Sequence, residues 1–389
     1  MKQSINRNIL WTELFTSALE NLGIKHACIS PGSRNTPLII ALQNSKKIET
    51  FVHVDERSSG FFALGLANKS KKPVLLITTS GTAVVELYPS IVEAFQQKVP
   101  LLVCTADRPE YLLNTGANQT INQNDIFKNH IVNSFSLELP SIGKSKLNRI
   151  YKVTKEAYKS SVQQKGPVHI NFQFEFPFEP SKKTDEIGTS FLREIRIKFK
   201  NISVPLKKIK SKQNDIVFFV EQIQKSRKLL LLIGPGSFDG KAMKSVFRFT
   251  NKTHSIIFAD GLSGIRFGKN FQKNLLVNHP SFLRSREALN FLDPDLIVQI
   301  GSAPTSNPVL DFFNNSSALK ILINEFGELK DPSRTTNRII TADYCDFFDS
   351  VNLKLDKKKI TNTDKKWQND LIEIDELTQN IKITNFEKI

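Results

Sequence analysis

Short apolar runs alternate with amphipathic stretches along residues 1–181 of the chain. Apolar side chains recur at helical spacing from Ile9 to Leu22, which predicts a helix that ends at Gly23. Later apolar runs predict the strands HACIS, FVHV, PVLLITT, PLLVCTA and PVHINF. Between them, helical spacing predicts helices at residues 38–42, 58–67, 83–97 and 150–162. Strands that alternate with helices indicate a parallel sheet covered on both faces.

The same alternation resumes after a charged stretch. Residues 182–215 have no sustained apolar face, so we predict a linker there. Further apolar runs then predict the strands KLLLLIG, SIIFAD, DLIVQIG and LKILINEF. We therefore predict an α/β protein with two Rossmann-like parallel-sheet domains, at residues 1–181 and 216–352. Residues 353–389 read as a charged tail with one plausible helix at 364–380.

The bulk composition restricts the class of protein. Neither an N-terminal apolar segment nor a run of about 20 apolar residues is present, which predicts a soluble, cytoplasmic protein without a membrane span. Cys28, Cys104 and Cys345 are far apart and odd in number, which favours buried thiols over a disulfide framework. The net charge of +16 comes from scattered lysines, so we interpret it as a solvated surface and predict no nucleic-acid partner.

Polar motifs follow the predicted strands of the first domain where each strand ends. They are SPGSRNTP, DERSSG, TSGTA and ADRPEYLLNTGANQTINQ. Ligands bind at the carboxyl ends of the strands in open parallel sheets, and these ends share one edge. The candidate residues at this edge are Ser33, Arg34, Glu56, Thr79, Ser80, Gly81, Thr82, Asp107, Arg108, Asn118 and Gln119. Two arginines on one edge suit the recognition of carboxylates.

Each candidate also has a purely structural interpretation. Ser33 is placed to cap a helix, Glu56 to complement a helix dipole and Gly81 to permit close packing of strand and helix. The residues alone leave both interpretations open. The sequence has no HxxxH, GxSxG or GxxxxGK[ST] motif, which argues against a zinc hydrolase, an α/β-hydrolase and a P-loop NTPase.

The motifs together resemble a known enzyme family. ISPGSRNTPL, HVDERSSGFFALGLA, TTSGTAVVELYP, TADRP and ANQTI, in this order and spacing, closely resemble the 2-succinyl-5-enolpyruvyl-6-hydroxy-3-cyclohexene-1-carboxylate synthases, the thiamine diphosphate enzymes of menaquinone synthesis. The resemblance is dense over residues 1 to about 130 and looser beyond. It implies a pyrimidine-binding domain at 1–181 and a middle domain at 216–352. We expect the chain to correspond to the first two-thirds of such a synthase.

The resemblance also implies roles for particular residues. Glu56 matches the catalytic glutamate that contacts N1′ of the cofactor's aminopyrimidine, and Thr79 and Gly81 match cofactor-binding positions. The residues that match the isochorismate site are Ser33, Arg34, Arg108, Asn118 and Gln119. The family decarboxylates 2-oxoglutarate and adds the succinyl unit to isochorismate. Its active sites form between subunits, which implies a homodimer or a homotetramer.

Two departures from the family pattern affect these expectations. The chain contains no Gly-Asp dipeptide, so we expect the ligands of Mg²⁺ (or Mn²⁺) on a third, diphosphate-binding domain and none in this chain. Asn307 occupies a position where the resemblance leads us to expect a lysine. Two alternatives stay open: a carboligase of the acetolactate-synthase type, and a non-catalytic two-domain module that binds an anionic metabolite or a partner chain. The edge with Arg34, Glu56 and Arg108 argues against the second.

Overall fold

The structure is a computed structural model that describes residues 1–236, 238, 240–266, 272–357 and 363–386. The chain divides into two compact units, Met1–Lys207 and Lys208–Ile389. Each unit has its own sheet and its own core.

The first unit is built on a six-stranded sheet in which every neighbouring pair is parallel. The strands of this unit are β1 (Lys2–Ile5), β2 (His26–Ile29), β3 (Glu49–Val52), β4 (Val74–Thr78), β5 (Leu101–Asp107), β6 (Asn133–Leu137), β7 (Pro167–Gln173) and β8 (Asp185–Gly188). The large sheet has the order β3-β2-β4-β5-β7-β6, and β1 and β8 form a separate antiparallel pair.

Helices cover both faces of this sheet. They are α1 (Arg7–Asn21), α2 (Thr36–Gln43), α3 (Glu56–Ser70), α4 (Thr82–Val85), α5 (Tyr88–Gln96), α6 (Lys144–Gln164) and α7 (Thr189–Lys200). Along β4, Leu75 and Ile77 pack with α1 and α6, whereas Val74 and Leu76 pack with α3 and α5. Successive side chains of a strand point to opposite faces, so a strand buried on both sides is apolar throughout.

The second unit repeats this architecture. Its strands are β9 (Leu229–Ile233), β10 (Ile256–Ala259), β11 (Leu275–Leu276), β12 (Leu296–Ile300), β13 (Leu319–Asn324) and β14 (Arg338–Thr341). Its helices are α8 (Gln213–Lys225), α9 (Gly240–Thr253), α10 (His279–Phe282), α11 (Arg286–Phe291), α12 (Asn307–Asn315), α13 (Tyr344–Leu355) and α14 (Lys365–Phe386). The sheet is parallel in the order β11-β10-β9-β12-β13-β14. The predicted α/β class with two parallel sheets is confirmed. None of the described helices is long and apolar enough to cross a membrane.

The segment that we predicted as a linker is largely folded onto the first unit. Residues 182–215 contain β8, which pairs with β1, and α7. The helix buries Leu192, Ile195 and Phe199 in the first core. These three residues have helical spacing, but lysines and arginines surround them, so the narrow apolar stripe was missed.

The predicted charged tail is also partly structured. α14 begins at Lys365 and buries Trp367 and Leu371 in the second core. The Trp367 ring nitrogen donates to the carbonyl oxygen of Phe291 at 3.1 Å, and the Asp375 carboxylate accepts a bond from the backbone N–H of Asn278 at 2.7 Å. This helix is therefore part of the second unit.

Smaller differences concern element boundaries. The single helix predicted at residues 83–97 is two helices, α4 and α5, with a break before Pro89. β3 ends at Val52, two residues earlier than the predicted strand FVHV. The prediction also lacked β1, β6, β11 and β14. The last three lie at the edges of the two large sheets, where fewer side chains are buried or the strand is very short, and β1 pairs with β8 outside these sheets.

The buried His169 of β7 predicts a loss of stability in acid. Its Nε2 lies 2.8 Å from the Thr105 hydroxyl, and its ring packs edge-on against Phe127. Burial lowers the pKa of His169 to about 3, so the folded protein keeps this ring neutral. The unfolded chain binds a proton below a pKa of about 6.5, so the free energy of unfolding falls by about 1.4 kcal/mol per pH unit between these two values.

The measurement is urea unfolding of the first unit at pH 7 and pH 5. The variant His169→Gln keeps a polar side chain facing Thr105 but cannot titrate, so we expect its stability to depend less on pH than that of the wild type. Identical pH dependence in the two proteins would contradict the assignment.

Candidate active site

A cavity of about 560 Å³ lies at the carboxyl edge of the first unit's sheet. Eight of the candidate residues line it, namely Ser33, Arg34, Glu56, Thr79, Ser80, Thr82, Arg108 and Gln119. They come from the segments that follow β2, β3, β4 and β5, whose parallel order brings these ends together. A larger cavity of about 690 Å³ in the second unit is lined by none of the predicted residues.

The Glu56 carboxylate faces the cavity because its neighbour performs the capping of α3. Asp55 is the N-cap residue, and its side chain accepts from the backbone N–H groups of Arg57 at 2.8 Å and Ser58 at 3.4 Å. The hydrogen bonds from Arg57 lower the pKa of Asp55 to about 2. Glu56 is the first helical residue, and its half-buried carboxylate has no hydrogen-bond partner in the described part of the chain.

Arg108 joins two other sides of the cavity. Its Nη1 donates to the Ser80 hydroxyl at 2.6 Å and to the carbonyl oxygen of Gln119 at 2.8 Å. The Gln119 side chain in turn donates to the carbonyl oxygen of Ser80 at 3.0 Å. The preceding residue, Asp107, is buried and accepts from the Arg108 backbone N–H at 2.7 Å. The guanidinium group is thereby fixed at the cavity wall.

Arg34 contacts the segment that follows β7, which was not assigned to the site from the sequence. Its Nη1 donates to the carbonyl oxygen of Phe174, and its guanidinium carbon lies 5.2 Å from the centre of the Phe178 ring. Phe178 and Phe176 line the cavity, and Phe176 is 71% exposed. Both follow β7, the strand predicted from PVHINF. Neither phenylalanine belongs to a recognisable motif. The sequence could have indicated them only through their position after a predicted strand, at the same edge of the sheet as the other site residues.

The wall of the cavity contains two guanidinium groups whose charges repel each other. Burial lowers the pKa of Arg34 and that of Arg108, and the charge of Arg108 lowers the pKa of Arg34 further. Both guanidinium groups nevertheless stay protonated at neutral pH. The charge of Asp107 acts in the opposite direction on the pKa of both arginines, and the cavity is also lined by the carboxylates of Glu56 and Glu86. Burial raises the pKa of Asp107, whereas a hydrogen bond from Asn171 acts in the other direction. An anionic ligand would reduce the repulsion between the two arginines.

The remaining predicted residues lie at or beside the cavity. Gly81 has a φ of 77°, and a Cβ atom there would lie 2.8 Å from Cγ of Gln119, so only glycine fits this turn. Asn118 is exposed and is not among the lining residues. Ser33 lies at the exposed rim, and its carbonyl oxygen accepts from the Thr36 hydroxyl at 2.7 Å. Asn307, the expected lysine position, begins α12 in the second unit.

A thiamine diphosphate cofactor would need a partner for its aminopyrimidine ring and a metal ion for its diphosphate. An unpartnered carboxylate beside a tight glycine turn fits an aminopyrimidine ring, whose nitrogens need a hydrogen-bonding partner. For the metal, the described residues contain no group of three or more His, Cys, Asp or Glu side chains that could hold an ion. The described residues therefore fit the pyrimidine part of the cofactor, and they offer no cluster of ligands for the metal ion of its diphosphate part.

Part of the first unit matches the model of a known enzyme family. Residues 11–126 match the family described as "Thiamine pyrophosphate enzyme, N-terminal TPP binding domain". Over these residues the first unit is similar to the N-terminal domain of this enzyme class, and the matched segment includes Glu56.

Comparison with individual curated proteins shows a more specific similarity. The chain is 32% identical over 343 residues to the 2-succinyl-5-enolpyruvyl-6-hydroxy-3-cyclohexene-1-carboxylate synthase of Haloquadratum walsbyi, a match that covers 87% of this chain and 55% of the relative. The chain is 30% identical over 358 residues to the synthase of Bacillus cytotoxicus, a match that covers 91% of this chain and 60% of the relative. It is 32% identical over 348 residues to the synthase of Bacillus pumilus, a match that covers 89% of this chain and 59% of the relative. The predicted resemblance is confirmed: the chain is related to these synthases over most of its length. It spans 55% to 60% of the length of these relatives.

Proposed function

We propose that this protein acts in the thiamine diphosphate-dependent synthesis of 2-succinyl-5-enolpyruvyl-6-hydroxy-3-cyclohexene-1-carboxylate. In this reaction 2-oxoglutarate is decarboxylated and its succinyl unit is added to isochorismate, in menaquinone biosynthesis. The observation that carries the proposal is the cavity in which Arg34 and Arg108 occur together with Glu56, whose carboxylate has no partner among the described residues. The curated relatives with this synthase name support it.

Glu56 is the proposed catalytic residue. When bound, the cofactor would supply the nucleophilic carbon that the decarboxylation of an oxo acid requires. The task of Glu56 is to hold and move a proton at N1′ of the aminopyrimidine, which general acid–base catalysis requires. Thr79 and Gly81 are proposed to contact the cofactor beside it. The free carboxylate and the glycine turn support these roles. Mg²⁺ or Mn²⁺ is proposed to accompany the diphosphate, with ligands from a further domain.

Arg34 and Arg108 are the proposed ligands of the isochorismate carboxylates. A guanidinium group binds a carboxylate through charge-assisted, often bidentate hydrogen bonds. Ser33, Asn118 and Gln119 are proposed to complete the site from the rim. Phe176 and Phe178 add an apolar wall against which the ring of the substrate would pack. A cavity with both cationic and aromatic walls suits a dicarboxylate that carries a six-membered ring.

Calorimetry of the 389-residue chain with isochorismate tests the substrate assignment. We expect binding by the wild type and a large loss in the double variant Arg34→Ala, Arg108→Ala. Absence of binding, or binding that the double variant retains, would contradict the proposal. Turnover of 2-oxoglutarate and isochorismate with thiamine diphosphate and Mg²⁺ is then measured by product mass. Binding without turnover, also after a relative's diphosphate-binding domain is added, would favour the non-catalytic alternative.

We also propose that the protein forms a homodimer or a homotetramer in the cytoplasm. The apolar side chains around the start of α3 support the assembly, because Val52 and Val54 are 67% and 94% exposed and Phe61 and Phe62 are exposed beside them. Such a surface is typical of an interface. Sedimentation equilibrium should give the mass of two or four chains, and Val54→Glu should lower it. A monomer at micromolar concentration would contradict the assembly, and cell fractionation tests the location.

A further inference from the structure

A hydrogen-bonded group of buried side chains lies beneath the candidate active site. It consists of Thr105, Asp107, Gln123 and Asn171, each of which is at most 2% exposed. Thr105 and Asp107 lie on β5 and Asn171 lies on β7. Gln123 reaches this group from the long segment that follows β5. Buried polar side chains are costly unless they are paired, so a fully connected group has a single preferred arrangement.

The Gln123 side chain connects two strand ends. Its Oε1 accepts from the backbone N–H of Gly81 at 3.0 Å. Its Nε2 donates to the carbonyl oxygen of Ala106 at 3.1 Å and to Oδ1 of Asn171 at 2.9 Å. One carboxamide group thus joins the turn after β4 to the end of β5. Both of its donor hydrogens and its acceptor are engaged, so its orientation is fixed.

Asn171 links Gln123 to Asp107 and, through it, to Arg108. Its Nδ2 donates to Oδ2 of Asp107 at 2.8 Å, and its Oδ1 also accepts from the Thr105 hydroxyl at 2.7 Å. The other oxygen of Asp107 accepts from the backbone N–H of Arg108. The position of the Arg108 backbone is therefore set by a chain of bonds that begins at Gln123.

We propose that Gln123 and Asn171 are positioning residues that fix the distance between the Gly81 turn and the Arg108 turn. The inference rests on the proposed function, in which these turns contact the cofactor and isochorismate. Arg108 also joins the two sides through Ser80 and Gln119, but these three residues line the cavity, so their contacts are open to a bound ligand. Gln123 and Asn171 are buried and do not line the cavity, so a ligand in the cavity does not contact their hydrogen bonds.

The experiment compares two variants with matched controls in the second unit. Gln123→Leu and Asn171→Leu remove the proposed positioning groups. Gln299→Leu and Asn352→Leu remove equally buried amides, which donate to the carbonyl oxygens of Lys330 at 2.8 Å and Ser245 at 3.0 Å. All four variants should lower the melting temperature, since each loses a buried hydrogen bond. Only the first two should weaken isochorismate binding to the full chain, by about 10-fold.

Hydrogen exchange at the Gly81 amide provides a readout that does not involve a ligand. Gln123→Leu removes the acceptor of this N–H, so its exchange should accelerate by about 10-fold, while Asn171→Leu should have a smaller effect. If the wild type binds isochorismate and both variants bind it equally well, the positioning role is overturned and the proposed function stands. If the wild type does not bind, the proposed substrate is overturned. In that case, an unchanged exchange rate of the Gly81 amide in Gln123→Leu would overturn the positioning role as well.

Discussion

Replacement of Glu56 by glutamine is expected to lower turnover by about 10²- to 10⁴-fold, with little change in affinity for thiamine diphosphate. An amide can hold N1′ of the aminopyrimidine by a hydrogen bond, but it cannot take up and return its proton. The loss should not come from unfolding of α3, because Asp55 caps this helix and Glu56 has no partner in the described structure. The measurement is kcat, with a diphosphate-binding domain of a relative added where the chain alone shows no turnover.

The neighbouring carboxylate provides the matched control. Asp55→Asn makes the same chemical change one residue away, and asparagine is as good an N-cap as aspartate. We expect this variant to keep stability and turnover close to those of the wild type. Equal losses of turnover in the two variants would mean that the effect arises from the start of α3 and not from proton transfer at Glu56.

The motif DERSSG illustrates how far the sequence alone could be interpreted. The strand before it and the helix after it were predictable from the apolar pattern, and so was the edge of the sheet at which the motif lies. The different roles of the two carboxylates, Asp55 as helix cap and Glu56 as cavity residue, were not predictable. It depends on the extended backbone of Asp55, with φ −98° and ψ 120°, which turns that side chain back onto the helix and leaves Glu56 facing the cavity.

Contacts between distant segments set the limit of prediction for the rest of the site. Phe178 lies more than 140 positions after Arg34 in the sequence, yet its ring lies beneath that guanidinium group. The contact depends on the parallel order of β2, β4, β5 and β7, which periodicity does not reveal. Gln123 is similar: within ANQTINQ its side chain appears as polar as those of its neighbours, but it is the one that the fold buries against β5. Pairing and burial, not residue type, distinguish it.

Replacement of Arg108 by alanine is expected to raise the apparent KM for isochorismate by about 10- to 100-fold, because a charge-assisted hydrogen bond contributes roughly 1.5–3 kcal/mol. One nitrogen of the guanidinium group is used by Ser80 and Gln119, and the other hydrogens have no partner in the described part of the chain. These hydrogens lie at the cavity wall, where a carboxylate can accept them. The decarboxylation of 2-oxoglutarate should be largely unaffected, since it does not require the second substrate.

Two further variants separate the loss of this contact from a general disturbance of the site. Arg108→Lys keeps the positive charge but loses the planar fork, so its KM should lie between those of the wild type and the alanine variant. Arg149→Ala removes an exposed arginine of the same unit that donates to the carbonyl oxygen of Ser136 at 3.1 Å, and it should leave both kinetic constants unchanged. The measurements are the initial rate against isochorismate concentration and the rate of carbon dioxide release without isochorismate. A fall in carbon dioxide release in Arg108→Ala would show that this arginine acts on the cofactor side of the cavity, and a fall in kcat at unchanged KM would show that it acts after the substrate has bound.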